Sequence, residues 1–235
     1  MNEGYFMEDS DGSVGNIGMV CLGGPNRIDG ASKTCINASK LGAEVRYILE
    51  GEGHEWSFDQ GGIEWSKELG PAHWLVNCSS TPLMSENAMG AWSASMTFAE
   101  LEGTKTVMVI DSPEGDSEFG SSWGLVIERI RQIHLIFVHP NALRAISAAE
   151  GIPTSDLLEE IRSRSLVPIV CTYNSISGSV IEHALGRICA TSNSGIEPLQ
   201  WLAGLLCHLP KVGSGITGLE EAAMVAGRKK WAGLK

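Results

Sequence analysis

The residues best placed by type and spacing to handle an anion lie between Ser192 and Leu206. Gly195 stands ahead of an apolar run suited to a helix, Pro198-Leu199-Gln200-Trp201-Leu202-Ala203-Gly204-Leu205-Leu206. A helix starting there offers backbone N–H groups without intrahelical partners, which can hold a phosphate, although a lone glycine serves equally to end a strand or open a helix. Glu197 is the nearest acid, and reads either as a proton acceptor or as a charge that complements the helix dipole. Asn141, beside Pro140, is a turn or cap residue or a ligand contact. Lys33 suits a carboxylate or phosphate, and equally a solvated place on a helix's first turn.

Other chemistries find less support. Gly213-Ser214-Gly215-Ile216-Thr217-Gly218 spells Gly-x-Gly-x-x-Gly ahead of a helical run, but Leu209–Val212 is a poor strand. Only 17 residues follow, too few for the second strand that would carry the ribose-binding acid of a nicotinamide site. The six histidines (His54, His73, His134, His139, His183, His208) contain neither His-x-x-x-His nor His-Glu-x-x-His, so zinc hydrolysis has no basis and no metal ligands are assigned. Gly-x-Ser-x-Gly is also missing, which argues against an α/β hydrolase. The six cysteines are scattered singly without a Cys-x-x-Cys pair and read as buried thiols in a reducing compartment.

A net charge of −11 works against nucleic acid and anionic membrane as partners. The acidic start of the chain lacks the basic and apolar regions of a signal peptide. No apolar stretch approaches the ~18 residues of a membrane span. A cytoplasmic location is the expectation. With 235 residues, 43% of them hydrophobic, the chain can bury a sizeable core.

The elements that must position these residues follow from periodicity. Residues 17–22, 44–49, 73–78, 105–111, 133–138 and 167–173 read as strands, several apolar on both faces, as in a sheet covered on both sides. A helix is predicted from about Ser85 to Leu101, with Gly103 as its stop. Another follows Pro153 with Thr154 as N-cap, and a third follows a capping box, Thr217-x-x-Glu220. Strands alternating with helices imply a parallel sheet between two helical layers. The tract 178–190 suggests an antiparallel hairpin at one edge. Residues 1–15 are expected to be a loose tail, 112–120 an exposed loop, and 16–235 a single domain.

Several of these segments resemble the ribokinase-like (phosphofructokinase B type) carbohydrate kinases over roughly residues 17–230. Thr81-Pro82-Leu83-Met84-Ser85-Glu86-Asn87-Ala88 with Trp92, after Ala72-His73-Trp74-Leu75, is similar to the central segment of 2-keto-3-deoxygluconate kinases. Gly30 through Val45 resembles the family's first signature, with Lys33 where the family has a sugar-binding Asn. Val138-His139-Pro140-Asn141 resembles its Pro-Asn-x-x-Glu turn, with Arg144 in place of the Glu that organises magnesium. Thr172 through Val180 resembles the strand and glycine turn beside the nucleotide, and Asp111 sits where the family often has Asp-x-Asn. Gly195 to Leu206 resembles the phosphate loop and helix, but Pro198 or Leu199 falls where the catalytic Asp belongs.

The resemblance implies a three-layer α/β fold, ATP and magnesium as cofactors, nucleotide contacts at Gly195, Gly178, Thr172 and Asn141, and a sugar acid near Gly30. Glu197 is the one weak candidate for the missing acid. The segment from Glu50 to Gly70 is too short for the family's lid, so a lid-less core is expected. Phosphoryl transfer is then expected to be impaired or lost, since a lid excludes water from the reaction. The alternative is a non-catalytic relative that binds a small ligand or a protein partner. Exposure of the sheet where a lid would sit, with Trp56, Trp65 and Trp74 close by, suggests a homodimer through the segment between Gly51 and Trp74; the alternative is that Glu50 to Gly70 folds back and buries these rings within the monomer.

Overall fold

A computed structural model describes residues 16–23, 28–48, 60–111, 116–191 and 195–228. The proposed tail, Trp56 and residues 50–59 of the shortened segment after the second strand lie outside these residues. Eight strands form one sheet in the order β2-β1-β3-β4-β5-β6-β7-β8. They are β1 (Gly18–Leu22), β2 (Glu44–Ile48), β3 (Trp74–Cys78), β4 (Lys105–Ile110), β5 (Leu135–Val138), β6 (Ile169–Asn174), β7 (Gly178–His183) and β8 (Gly186–Ala190). The first six run parallel, and β6, β7 and β8 are joined antiparallel.

Successive side chains of a strand point to opposite faces, and the central strands are apolar at nearly every position, so each face needs its own helical cover. On one face Met19, Val76, Val109, Phe137 and Tyr173 are buried beneath α1 (Gly30–Lys40), α7 (Pro198–Val212) and α8 (Ile216–Ala226). On the other, Val20, Leu75, Met108 and Ile136 meet α2 (Trp65–Leu69), α3 (Glu86–Glu102), α4 (Asp116–Glu128), α5 (Pro140–Glu150) and α6 (Leu157–Ser165). Every described strand belongs to this sheet, and among the described residues there is no second sheet. Among the described residues no helix is long and apolar enough to cross a membrane.

Several local expectations are corrected. Pro153 to Asp156 closes a turn through Asp156 N–H and the Pro153 carbonyl (3.0 Å), which delays α6 and leaves Asp156, not Thr154, at its N-cap. Gly215 is the N-cap of α8, because its carbonyl accepts the first helical bond from Leu219 at 2.8 Å, so Thr217 and Glu220 form no capping box. Residues 116–120 are the first turns of α4, not loop, since Phe119, Trp123 and Val126 make an apolar stripe that the sheet buries. Cys189 is exposed on β8, unlike the other five thiols. Trp65 and Trp74 are buried within the chain, 4% and 2% exposed, and offer no surface to a second copy.

Candidate active-site cleft at the C-terminal strand edge

Parallel strands place the starts of α1 and α5 at the carboxyl ends of β1 and β5. The antiparallel hairpin turns at Gly178 on that same edge, and β8 returns there to feed α7. The strand order reverses between β1 and β3, where α/β sheets open their ligand crevice. Gly30, Asn141, Thr172, Gly178, Gly195 and Glu197 therefore all lie on one edge of the sheet. The β7–β8 register, with Ser179 opposite Ala190, keeps Gly178 and Gly195 within the span of a few extended residues. Chain reach limits that separation to ~27 Å.

Asp111, at the end of β4, binds the start of α1 to the loop after β3. Its Oδ2 accepts from the Gly30 N–H at 3.2 Å and the Ser80 hydroxyl at 3.5 Å, and its Oδ1 accepts from the Ser79 hydroxyl at 3.3 Å. Asp29 caps α1 by accepting from the Ser32 N–H at 2.9 Å and the Ser32 hydroxyl at 3.0 Å. A side chain at Gly30 would stand 2.6 Å from Val109 Cγ1, so only glycine permits this approach of α1 to β4. Burial pushes the Cys78 thiol well up, and the Asp111 and Asp29 carboxylates add to the effect, so it is no nucleophile here.

His139 is the N-cap of α5, and its Nδ1 accepts from the Asn141 N–H at 3.3 Å. In the neutral ring that bond assigns the proton to Nε2, which can then only donate. Burial lowers the His139 pKa most; Lys33 pushes the same way, while Asp111 and Glu197 oppose it. Charged groups from three separate elements, Lys33 on α1, Asp111 after β4 and Glu197 before α7, thus act on one imidazole.

At α7, Gly195 has a left-handed φ of +67° and turns the chain into the buried Ile196. Glu197 is the N-cap in extended conformation, makes no side-chain cap bond, and is followed by Pro198 with no acid in the first turn. The Leu199 and Gln200 N–H groups precede Trp201, whose N–H makes the first helical bond to the Glu197 carbonyl at 2.9 Å, and face the terminus without a side-chain cap. Lys33, Asn141 and Arg144 are exposed. Thr172 donates its hydroxyl proton to the Val138 carbonyl at 2.7 Å, tying β6 to β5 and leaving only lone pairs for a ligand. The Ser179 hydroxyl, next to Gly178, is buried without a partner. Among the described residues no group of three or more His, Cys, Asp or Glu could hold a metal ion.

Sequence reading missed Asp29, Ser79 and Ser80 and gave Asp111 and His139 no role of their own. Asp29 was legible as a cap three residues before Ser32. The serines carry no such pattern, and only their place just beyond a strand's carboxyl end marks them.

No profile of a known protein family matches the chain, and no curated protein matches it. Solved structures do. Aminoimidazole riboside kinase from Salmonella enterica superposes with a TM-score of 0.66 at 12% identity, covering 92% of each chain. Fructokinase from Vibrio cholerae O395, in its fructose-, ADP- and calcium-bound form, gives 0.65 at 9% identity, covering 90% of this chain and 91% of its own. Adenosine kinase from Sinorhizobium meliloti gives 0.65 at 14% identity, covering 84% and 74%. The fold is therefore that of the ribokinase-like sugar kinases.

Proposed function

We propose that the cleft binds ATP and a small sugar, with a sugar acid the preferred class, and that phosphoryl transfer between them is impaired or lost. The start of α7 carries this reading: free backbone N–H groups remain for a phosphate, but no acid stands in its first turn. The family whose fold this is uses an Asp there to take the sugar hydroxyl proton, and removing such a base costs ~10²- to 10⁴-fold in rate. Pro198 and Leu199 cannot replace it. Glu197 stands one residue before the helix and is the nearest substitute, while the neutral Nε2–H of His139 donates and cannot accept. The donors at Gly195, Gly178 and Asn141 support the nucleotide assignment, and Gly30 with Asp29, Lys33 and Asp111 supports the sugar acid, Lys33 pairing with its carboxylate. Likeness to the 2-keto-3-deoxygluconate kinases over Thr81–Ala88 makes that sugar acid the first substrate to test.

The residues present fit a phosphate group better than a metal. Magnesium typically keeps its waters and is held through one or two carboxylates plus phosphate oxygens. Arg144 occupies the position of the family's metal-organising Glu, and of the carboxylates near the cleft Asp29 and Asp111 already accept hydrogen bonds from Ser32, Gly30 and the serines after β3, which leaves Glu197. Magnesium would arrive with ATP and neutralise charge on the phosphates; this chain's own donors would hold and orient them.

A second reading, a non-catalytic relative that docks a protein partner, draws support from Ile28, Met84 and Ile176. These apolar side chains are 83%, 44% and 83% exposed in loops at this same edge. Calorimetry with ATP and magnesium, followed by a coupled ADP-release assay with 2-keto-3-deoxygluconate, tests both readings. Nucleotide binding with turnover far below the ordinary enzyme median of ~10 s⁻¹ is expected. Turnover near that median would sink the claim of impaired chemistry, and failure to bind nucleotide or sugar acid would leave only the docking reading.

A further inference from the structure

The opposite, N-terminal edge of the sheet carries a second concentration of polar groups. A cavity of about 460 Å³ lies there among the starts of β4, β5 and β6, its wall including Glu100, Lys105, Arg131, Gln132 and His134. A second cavity of about 300 Å³ adjoins it and shares Gly103 and Lys105. The larger volume is within the ~300–1,000 Å³ of small-molecule sites.

Two side-chain atoms of that wall, Gln132 Oε1 and His134 Nε2, are buried without a hydrogen-bond partner. Native interiors contain few such atoms, because each forfeits its hydration without replacement. The amide of Gln132 is oriented by its Nε2, which donates to Glu100 Oε2 at 3.1 Å and to Thr97 Oγ1 at 3.5 Å. Its Oε1 is therefore an acceptor in need of an O–H or N–H from elsewhere. His134 is held neutral by burial and by Lys105, so its Nε2 can exchange one hydrogen bond without adding charge.

The electrostatics point the same way. In a chain of net charge −11, Lys105 and Arg131 line this cavity, and no described carboxylate forms an ion pair with either. Glu100 is the single acid in the wall, and its Oε2 already accepts from Gln132. The Lys105 ammonium rests over the Trp74 ring, 5.8 Å from its centroid, which keeps it at the junction of the two cavities.

We propose that this edge is a second ligand site, separate from the cleft, for a small polyol bearing one anionic group, phosphate or carboxylate. Lys105 and Arg131 would take the anion, and Gln132 Oε1 and His134 Nε2 the hydroxyls. The proposal does not depend on what the cleft does. Titrating the protein by calorimetry and amide NMR with glucose 6-phosphate, gluconate, glucose and inorganic phosphate tests it. At least one of the two anionic polyols should bind, ~10-fold or more tightly than glucose or phosphate, since each alone satisfies half of the site.

Lys105→Met with Arg131→Gln should weaken that binding ~10-fold or more. Gln132→Leu, which leaves both cations in place, should weaken it severalfold, with melting temperature and far-UV dichroism showing that each variant folds. Gly195→Ala, in the cleft, should leave it unchanged. No saturable binding by either anionic polyol would mean that water alone satisfies the buried atoms, and would overturn the proposal. So would phosphate binding as tightly as the polyols, or affinities that ignore the Lys105, Arg131 and Gln132 changes.

Discussion

Gly195 and Gly30 are glycines for different physical reasons, and substitution separates them. At Gly195 nothing lies within 4 Å of an added Cβ, so the penalty comes from the left-handed φ of +67° alone. Gly195→Ala should cost ~1 kcal/mol and, by shifting the turn ahead of α7, weaken ATP binding. At Gly30 the added Cβ meets Val109 Cγ1 at 2.6 Å on a stiff, buried, β-branched side chain. Gly30→Ala should therefore cost ~1–3 kcal/mol by overpacking and break the hydrogen bond to Asp111. Urea unfolding of the two variants checks the ranking. His134 gives a pH signature. Its pKa falls from the ordinary 6.5 to about 4, first by burial and then by the Lys105 and His183 charges. The unfolded chain takes up this proton first as pH drops, so stability is full above pH ~6.5 and declines toward pH ~4. The ceiling is ~3 kcal/mol, lowered by the ring's partial contact with solvent. His139 and His183, also depressed by burial, add in the same direction. Replacing His134 with Gln should flatten the decline in the urea midpoint between pH 7.5 and pH 5; an unchanged slope would assign it to other groups.

The elements differ in how far their ends were written in the chain. Strand positions were legible because apolar runs of β-branched residues, such as Val107-Met108-Val109-Ile110, have few other places to go. The α3 boundaries followed from Ser85, whose hydroxyl accepts from the Ala88 N–H at 3.1 Å, and from Gly103 in a left-handed conformation with φ +76°. Thr154 and Thr217 misled because hydroxyl and spacing fit a cap, but a turn at Pro153 and the extended Gly215 moved both helix starts. Of the carboxyl edge, the glycines and the lack of any Asp or Glu between Pro198 and Val212 show in the sequence. Asp111 with Ser79 and Ser80 does not, because that contact joins residues 32 and 31 positions apart across two strand ends. These assignments predict an asymmetry. Asp29→Ala should destabilise the protein by ~1 kcal/mol through loss of the α1 cap, whereas Thr154→Ala and Thr217→Ala should each stay within ~0.5 kcal/mol of the parent. Equal losses at all three in thermal unfolding would contradict the cap assignment.

At the scale of the whole molecule, the two apolar layers share the same strands and cannot melt separately without exposing one face of each. Trp74 and Trp201 lie on the α1–α7–α8 side, and Trp65, Trp92 and Trp123 on the other. The layers are also stitched through the backbone: the Trp74 indole N–H donates to the Leu206 carbonyl at 2.9 Å, joining β3 to α7, and the Trp92 indole N–H donates to the Cys78 carbonyl at 3.2 Å, joining α3 to the same strand. Trp201 stacks on Tyr173 with ring centroids 5.1 Å apart and donates to the Ala223 carbonyl at 3.2 Å, so β6, α7 and α8 move as one. Even the antiparallel end is held, because α8 packs on β8 and the Arg187 guanidinium pairs with the buried Glu182. We therefore expect residues 16–228 to unfold as a single cooperative domain. Tryptophan fluorescence, weighted to both layers, and far-UV dichroism should give one coincident urea transition. A variant that keeps only Trp74 and Trp201 should melt at the same midpoint as one that keeps only Trp65, Trp92 and Trp123, after correction for each variant's own stability. Separate midpoints for the two reporters within a single variant, or an early phase confined to β7 and β8 in hydrogen exchange, would divide the chain into more than one unit.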